Sequence, residues 1–337
     1  MIKQFKKSAK FFFILTIFMS GCVNTNNKYN NHYLLNNSYN YNFKTWNSKD
    51  ESKFIVLAVH GFNDYSNSFL IPAQFFSQFQ ITTISFDLRG FGSNQDSKSW
   101  FPVEVHILDL KKIILKLKKE NPEKKIFLLG ESMGGAILLN LVSQEKYLPI
   151  EGIILVAPAI WNFSELNPIK SFILKSLSKL FPKLNISGKG LVKVKASDNI
   201  EMLKQLSKDK YFIHKPNLES IYGITVLMDL AFKSAKNYLK NPSYDTLIIV
   251  PLLDEIIPRK PIKSLFSEYE IRENIEKKID LAVYDKNYHM ILRDLDGNRV
   301  TREIKEWIFD RKRIKDLYSF KMSLARLESS QYIHQLD

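Results

Sequence analysis

Apolar residues in this chain fall into short unbroken runs set between longer segments with helical spacing. Runs at 54–59, 81–86, 126–129, 153–158, 246–250 and 281–284 are four to six residues long. That length and continuity predict strands buried on both faces. Between them, 103–120 repeats its apolar positions at helical spacing beneath a lysine-rich outer face, and 136–142 opens another helix. Strands of this kind alternating with helices predict an α/β fold, a mostly parallel sheet covered on both sides. Such sheets bind their ligands beyond the carboxyl ends of the strands.

Two stretches depart from the alternation. The segment between the run ending at Pro158 and the one starting at Thr246 is too long for a plain crossover. It carries an apolar stripe of Phe172, Ile173, Leu177, Leu180 and Phe181 among lysines, then a second helical segment around 217–240. Residues 161–215 are expected to form a lid inserted over the sheet edge, although taken singly each stripe residue is more often core than substrate contact. From about 300, Ile304, Trp307, Ile308, Ile314 and Leu317 predict an amphipathic segment packed on the sheet, leaving 316–337 as a charged tail. The α/β domain is then expected to span 51–315.

The N-terminus changes the picture of where the chain resides. Lys3, Lys6, Lys7 and Lys10 precede an apolar core at 11–19, too short to span a bilayer but of the length of a signal-peptide core. The sequence Met19-Ser20-Gly21-Cys22 that follows resembles the lipobox of bacterial lipoproteins. That resemblance implies removal of 1–21, lipidation of Cys22 and a membrane-anchored place in a bacterial cell envelope, with more than one acyl chain for stable anchoring. Residues 22–50 are rich in asparagine without periodicity and are expected to be a flexible tether. Cys22 is the only cysteine, which removes disulfide frameworks and cysteine-rich metal sites. The net charge of +14 favours anionic surfaces. Its lysines are nevertheless scattered, with no nucleic-acid motif among them, so no nucleic-acid partner is expected.

Candidate chemistry converges on Gly130-Glu131-Ser132-Met133-Gly134-Gly135 between a strand and a helix. A G-x-S-x-G in this context is a nucleophile elbow, with the serine held on a strained turn above the sheet. A serine hydroxyl needs a base to take its proton, and a histidine base needs an orienting carboxylate. The chain order is then Ser, Asp or Glu, His. His289 follows the last strand, whereas His214 precedes the acid strand and His334 lies in the tail. Asp254 follows the strand ending at Val250 and is the preferred acid, with Glu255 in reserve. Asp285 reads as a solvated turn residue. The oxyanion donors are expected to be the amides of Met133 and Phe62, with His60 bracing the latter's loop. Gly90-Phe91-Gly92 lacks the third glycine of a dinucleotide fingerprint, Gln95 standing in its place. No P-loop and no H-E-x-x-H occurs, so neither metal nor phosphate chemistry is indicated.

Taken together, these residues make the chain resemble the α/β-hydrolase superfamily, and within it the monoacylglycerol lipase/lysophospholipase-like serine hydrolases. The resemblance spans roughly 52–310. It rests on His60-Gly61-Phe62, on Asp87-Leu88-Arg89-Gly90-Phe91-Gly92 with Trp100, on the elbow, on 254–258 and on Tyr288-His289. It implies ester hydrolysis through an acyl-enzyme, a helical lid and no cofactor. This family often carries glycine where Asn63 and Pro251 stand here. A greasy insertion above the nucleophile adds the expectation of an acyl-bearing small-molecule or lipid ester. The alternatives are a short-acyl esterase, thioesterase or amidase of the same fold, or a catalytically silent tethered binding protein.

Overall fold

The computed structural model describes residues 41–97, 99–187, 194–268, 278–311 and 320–329. The expected signal peptide, Cys22 and residues 22–40 of the expected tether lie outside the described residues, as do Ile314, Leu317 and His334. In chain order the elements are β1 (Phe43–Trp46), β2 (Phe54–Val59), α1 (Leu70–Phe76), β3 (Ile81–Phe86), α2 (Val103–Glu120), β4 (Lys125–Glu131), α3 (Met133–Gln144) and β5 (Gly152–Val156). Next come α4 (Phe163–Leu166), α5 (Pro168–Leu180), α6 (Ile200–Leu206), α7 (Leu218–Lys240), β6 (Asp245–Pro251), α8 (Arg259–Ser267), β7 (Ile279–Tyr284), α9 (Gly297–Phe309) and α10 (Phe320–Ser329).

The strands form one sheet in the order β1-β3-β2-β4-β5-β6-β7. β1 runs antiparallel to β3 and every other pairing is parallel. Each interior strand feeds two cores by turns, because successive side chains leave opposite faces of a strand. Ile55, Leu57, Ile126, Leu128, Ile248 and Val250 enter the core shared with α2, α3 and α7. Val56, Ala58, Phe127, Leu129, Leu247 and Ile249 enter the core beneath α1 and α9. Burial on both faces is why these strands read as continuous apolar runs. The arrangement is an α/β-hydrolase fold.

Two sequence expectations need correction. Residues 43–46, assigned to the tether, form β1 and cover the outer edge of β3. An uncovered edge would leave a row of unpaired backbone groups, and a short antiparallel strand is one way to close it. Likewise the expected charged tail supplies α10, whose Leu324 and Leu327 are buried in the larger core beside β7. The segment before it behaves as expected, with Ile304, Trp307 and Ile308 buried against the sheet.

The insertion between β5 and β6 begins with α4, α5 and α6 and ends with α7, which packs on α3. Asn217 caps α7 by accepting the Ser220 amide. The Phe172, Ile173, Leu177, Leu180, Phe181 stripe is exposed, contrary to its single-residue expectation as core. No helix among the described residues is long and apolar enough to cross a membrane.

Candidate functional site

Every sequence-selected residue of the proposed chemistry lies at the carboxyl end of a strand. Ser132 follows β4 with φ 53° and ψ −113°, a positive φ that matches the expected strained elbow. Its neighbours explain the small residues around it. A Cβ on Gly134 would fall on the Val59 carbonyl oxygen at the end of β2. One on Gly130 would come within 2.6 Å of the Gly134 backbone, and one on Gly135 within 2.9 Å of Pro158. Strand, helix and the two adjoining loops therefore touch backbone to backbone at this turn. Gly134→Ala should cost about 1–3 kcal/mol of stability. It should also lower ester turnover by about 100-fold, since the 60–62 loop must move away from the serine. Thermal unfolding and turnover measured on the same preparation check both.

The structure brings Ser132, His289 and Asp254 together. His289 Nε2 lies 2.9 Å from Ser132 Oγ, and Nδ1 lies 2.7 Å from Asp254 Oδ2. The carboxylate orients the ring by accepting a hydrogen bond from Nδ1–H, which leaves Nε2 to accept from the hydroxyl. Asp254 is itself aimed by the amides of Ile256 and Ile257, which donate to Oδ1 at 2.8 and 3.0 Å. Burial alone would lower the His289 pKa, but the adjacent Asp254 carboxylate, helped by Glu131, outweighs it and holds His289 above the usual histidine value. Glu255, the reserve acid, turns outward and accepts the Lys195 amide at 2.7 Å. Asp285 is exposed. His214 is also exposed and bonds the Asp209 carbonyl.

The expected oxyanion loop lies against the nucleophile: a Cβ on Gly61 would be 3.4 Å from that of Ser132. Met133 is the first residue of α3, where the amide has no partner within the helix. Asn63 adopts φ 66°, a conformation that suits glycine and that asparagine tolerates. This accounts for the residue standing where the resembled family often has glycine. His60 is buried and bridges two loops. Its Nε2 accepts the Leu88 amide at 3.0 Å, so Nδ1 carries the proton and donates to the Gly61 carbonyl at 2.8 Å. Burial keeps this ring below the usual histidine value, hence neutral. Phe62 packs near Phe91 and Trp100, and the indole lies flat against Gly223 of α7.

Sequence reasoning missed a charge cluster beneath these loops. Arg293, four residues after His289, places Nη2 2.8 Å from Asp64 Oδ2 and 3.4 Å from Glu131 Oε2, all three side chains being buried. Glu131 immediately precedes Ser132, and Asp64 lies two residues beyond Phe62. One guanidinium thus joins the elbow, the oxyanion loop and the histidine loop. Burial pushes the Glu131 carboxyl up despite Arg293, whereas the two carboxylates keep Arg293 charged against its own burial. Charged residues embedded in the apolar runs around 126–142 and 290–293 were the available signal. A second partner of the histidine loop is Asp294, which accepts the Tyr288 amide and the Ser197 hydroxyl at 2.8 and 2.7 Å.

The inserted segment is stitched to the oxyanion loop and the histidine loop. The Ala196 carbonyl accepts the Met290 amide at 2.9 Å, and the Asn63 carbonyl accepts the Ile213 amide at 2.8 Å. Tyr65 Oη donates to Asp209 at 2.7 Å. Among the described residues there is no cluster of three His, Cys, Asp or Glu side chains placed to hold a metal ion.

Comparison with known proteins agrees with this fold. Monoglyceride lipase from Rattus norvegicus is 24% identical over 270 residues, covering 79% of this chain and 86% of the relative. Phospholipase YtpA of Bacillus subtilis is 22% identical over 203 residues, covering 59% and 75%. The crystal structure of Paleococcus ferrophilus monoacylglycerol lipase superposes with a TM-score of 0.65 at 22% identity, covering 80% of this chain and 98% of that one. A soluble variant of the Saccharomyces cerevisiae monoglyceride lipase gives 0.67 at 21%, covering 80% and 91%. With residues 50–296 matched by the family described as serine aminopeptidase, S33, the chain belongs to that family of hydrolases.

Proposed function

We propose that this protein hydrolyses carboxylic esters bearing a fatty acyl chain, of the acyl-glycerol or lysophospholipid type, through an acyl-enzyme. The observation that carries the proposal is the unbroken hydrogen-bond chain from Asp254 through His289 to Ser132. In this reading Ser132 attacks the ester carbonyl while His289 takes its proton, and Asp254 stabilises the imidazolium. The amides of Phe62 and Met133 receive the oxyanion. His289 then returns the proton to the leaving alcohol, and water repeats the sequence to free the acid. The apolar flank made by Phe62, Phe91 and Trp100, together with the lipase and phospholipase relatives, favours an acyl substituent over a polar one. The segment 161–215 acts as the lid in this scheme.

We also propose that the mature protein begins at a lipidated Cys22 and is held on a bacterial envelope membrane through that residue. Incorporation of a fatty-acid analogue into the wild-type protein, absent from Cys22→Ser, is the expected result.

A panel of p-nitrophenyl esters from acetate to palmitate, monoacylglycerols, lysophospholipids and an aminoacyl p-nitroanilide tests the substrate. kcat/KM should rise with acyl length and be highest on a monoacyl lipid. Preference for acetate would instead select the short-acyl esterase. Preference for the anilide would select the peptidase activity that gives the family its description.

A further inference from the structure

His289 stands in the loop between β7 and a single helical turn at Ile291–Arg293, with no strand or helix of its own to hold it. The backbone groups of such a loop must find partners elsewhere. On both sides of the imidazole they lead to one short polar run of the inserted segment, Ala196-Ser197-Asp198-Asn199. The Met290 amide, one residue after His289, donates to the Ala196 carbonyl at 2.9 Å. The Tyr288 amide, one residue before it, donates to Asp294 Oδ2 at 2.8 Å. Asp294 is held in turn by the Ser197 hydroxyl, which donates to Oδ1 at 2.7 Å, and by the Asn287 side chain at 3.3 Å. Ser197 and Asp294 are 0% and 5% exposed. Further on, Asn199 Nδ2 donates to the Arg293 carbonyl at 3.0 Å, and Asp198 Oδ1 accepts the Leu295 amide at 2.9 Å. Asn199 also caps α6 by accepting the Met202 amide, which fixes the far end of the run.

We propose that Ser197 and Asp294 are positioning residues that set the place of His289 over Ser132 from the inserted segment, without touching substrate. This assignment rests on the ester hydrolysis proposed above. The ring must keep Nε2 2.9 Å from Ser132 and Nδ1 2.7 Å from Asp254 at once. A displacement of about 1 Å at such a site can cost about 100-fold in rate. An arch of three residues tied at one foot can tilt, whereas ties at Tyr288 and Met290 hold both feet. Without Ser197 Oγ, Asp294 Oδ1 keeps no other side-chain donor among the described residues, and the Tyr288 foot loses its brace.

The test compares Ser197→Ala, Asp294→Ala and Asp294→Asn in the full-length chain on p-nitrophenyl butyrate, from about pH 5 to 9. kcat should fall by about 10-fold in Ser197→Ala and about 100-fold in Asp294→Ala, with KM within about twofold of wild type. Asparagine at 294 still accepts the Tyr288 amide and can donate to Ser197 Oγ, so this variant should stay within about threefold. The acid limb of kcat/KM is the readout that a merely structural role would leave in place. Burial and Arg293 lower the His289 pKa, while the Asp254 and Glu131 carboxylates raise it above the usual histidine value. A ring swung away from Asp254 loses the larger support, so the limb should move to lower pH in both alanine variants and stay in Asp294→Asn. Alanine and asparagine remove the same charge at 294, and the difference between them therefore reports position. Amide exchange at Tyr288 should quicken in the alanine variants alone, and fluorophosphonate labelling of Ser132 should slow with kcat. Wild-type kcat in both alanine variants, or losses that track the folded fraction with the acid limb unmoved, would overturn the assignment. So would an Asp294→Asn variant as slow as Asp294→Ala. Absence of ester turnover in wild type, with labelling still slowed in the alanine variants, would count against ester hydrolysis alone.

Discussion

Ser132→Ala should lower kcat on p-nitrophenyl esters by about 10⁴-fold or more, a barrier increase of about 5.5 kcal/mol. The residual rate should come from the oxyanion donors and from binding. Removing Oγ deletes one hydrogen bond, to His289, and leaves the backbone at φ 53° unchanged. The variant should therefore unfold within about 1 kcal/mol of wild type. A fluorophosphonate probe that labels wild-type protein should fail on this variant. His289→Ala should lose as much activity as Ser132→Ala, and the double variant no more than either, because the pair acts as a unit. Unchanged turnover in Ser132→Ala would end the nucleophile assignment and revive the silent binding protein as the better reading.

These side chains were legible in the sequence for a local reason. Ser132, Asp254 and His289 each follow an apolar run, and such runs mark the strand ends where a parallel sheet presents its ligands. The order along the chain then assigned the roles, and the fold brought the three within hydrogen-bond distance. Periodicity was equally good at locating α2, α7 and α9. It was silent on which way an amphipathic helix turns. The spacing of Phe172, Ile173 and Leu177 announces a face, but whether that face meets core or solvent depends on neighbours distant in the sequence, such as α7. β1 and α10 escaped for a related cause. Each covers the margin of the sheet, and a need for cover at β3 or β7 exists only once the strands are ordered in space.

The cluster joining residues 64, 131 and 293 was illegible for the strongest version of this reason, and it carries the second large prediction. Arg293→Met should destabilise the protein by about 3–5 kcal/mol. Methionine has nearly the length of the arginine stem, so packing is largely kept. What is lost is the cation that faces Asp64 and Glu131, two buried carboxylates that ion pairing had held in the interior. At roughly 2–4 °C per kcal/mol, thermal unfolding should fall by about 6–20 °C.

The pH dependence separates this electrostatic cause from a packing defect. Burial already raises the Glu131 carboxyl, and without the Arg293 cation that opposes this its folded-state pKa should lie further above the unfolded value. A raised folded pKa contributes stability that is present below the unfolded value and is lost as pH rises toward the folded one. The deficit of the variant should accordingly be small near pH 4, grow through pH 5 and 6, and be largest at neutrality. A packing defect would give the same deficit at every pH. Adding Asp64→Asn and Glu131→Gln to Arg293→Met should recover much of the loss at neutral pH, because the uncompensated charges are then gone. Activity need not return with stability. The guanidinium ties together the loops bearing Phe62, Ser132 and His289, and a neutral trio holds them by weaker bonds. A triple variant that is stable yet slower in kcat, with KM little changed, is therefore the expected signature of Arg293 as a positioning residue.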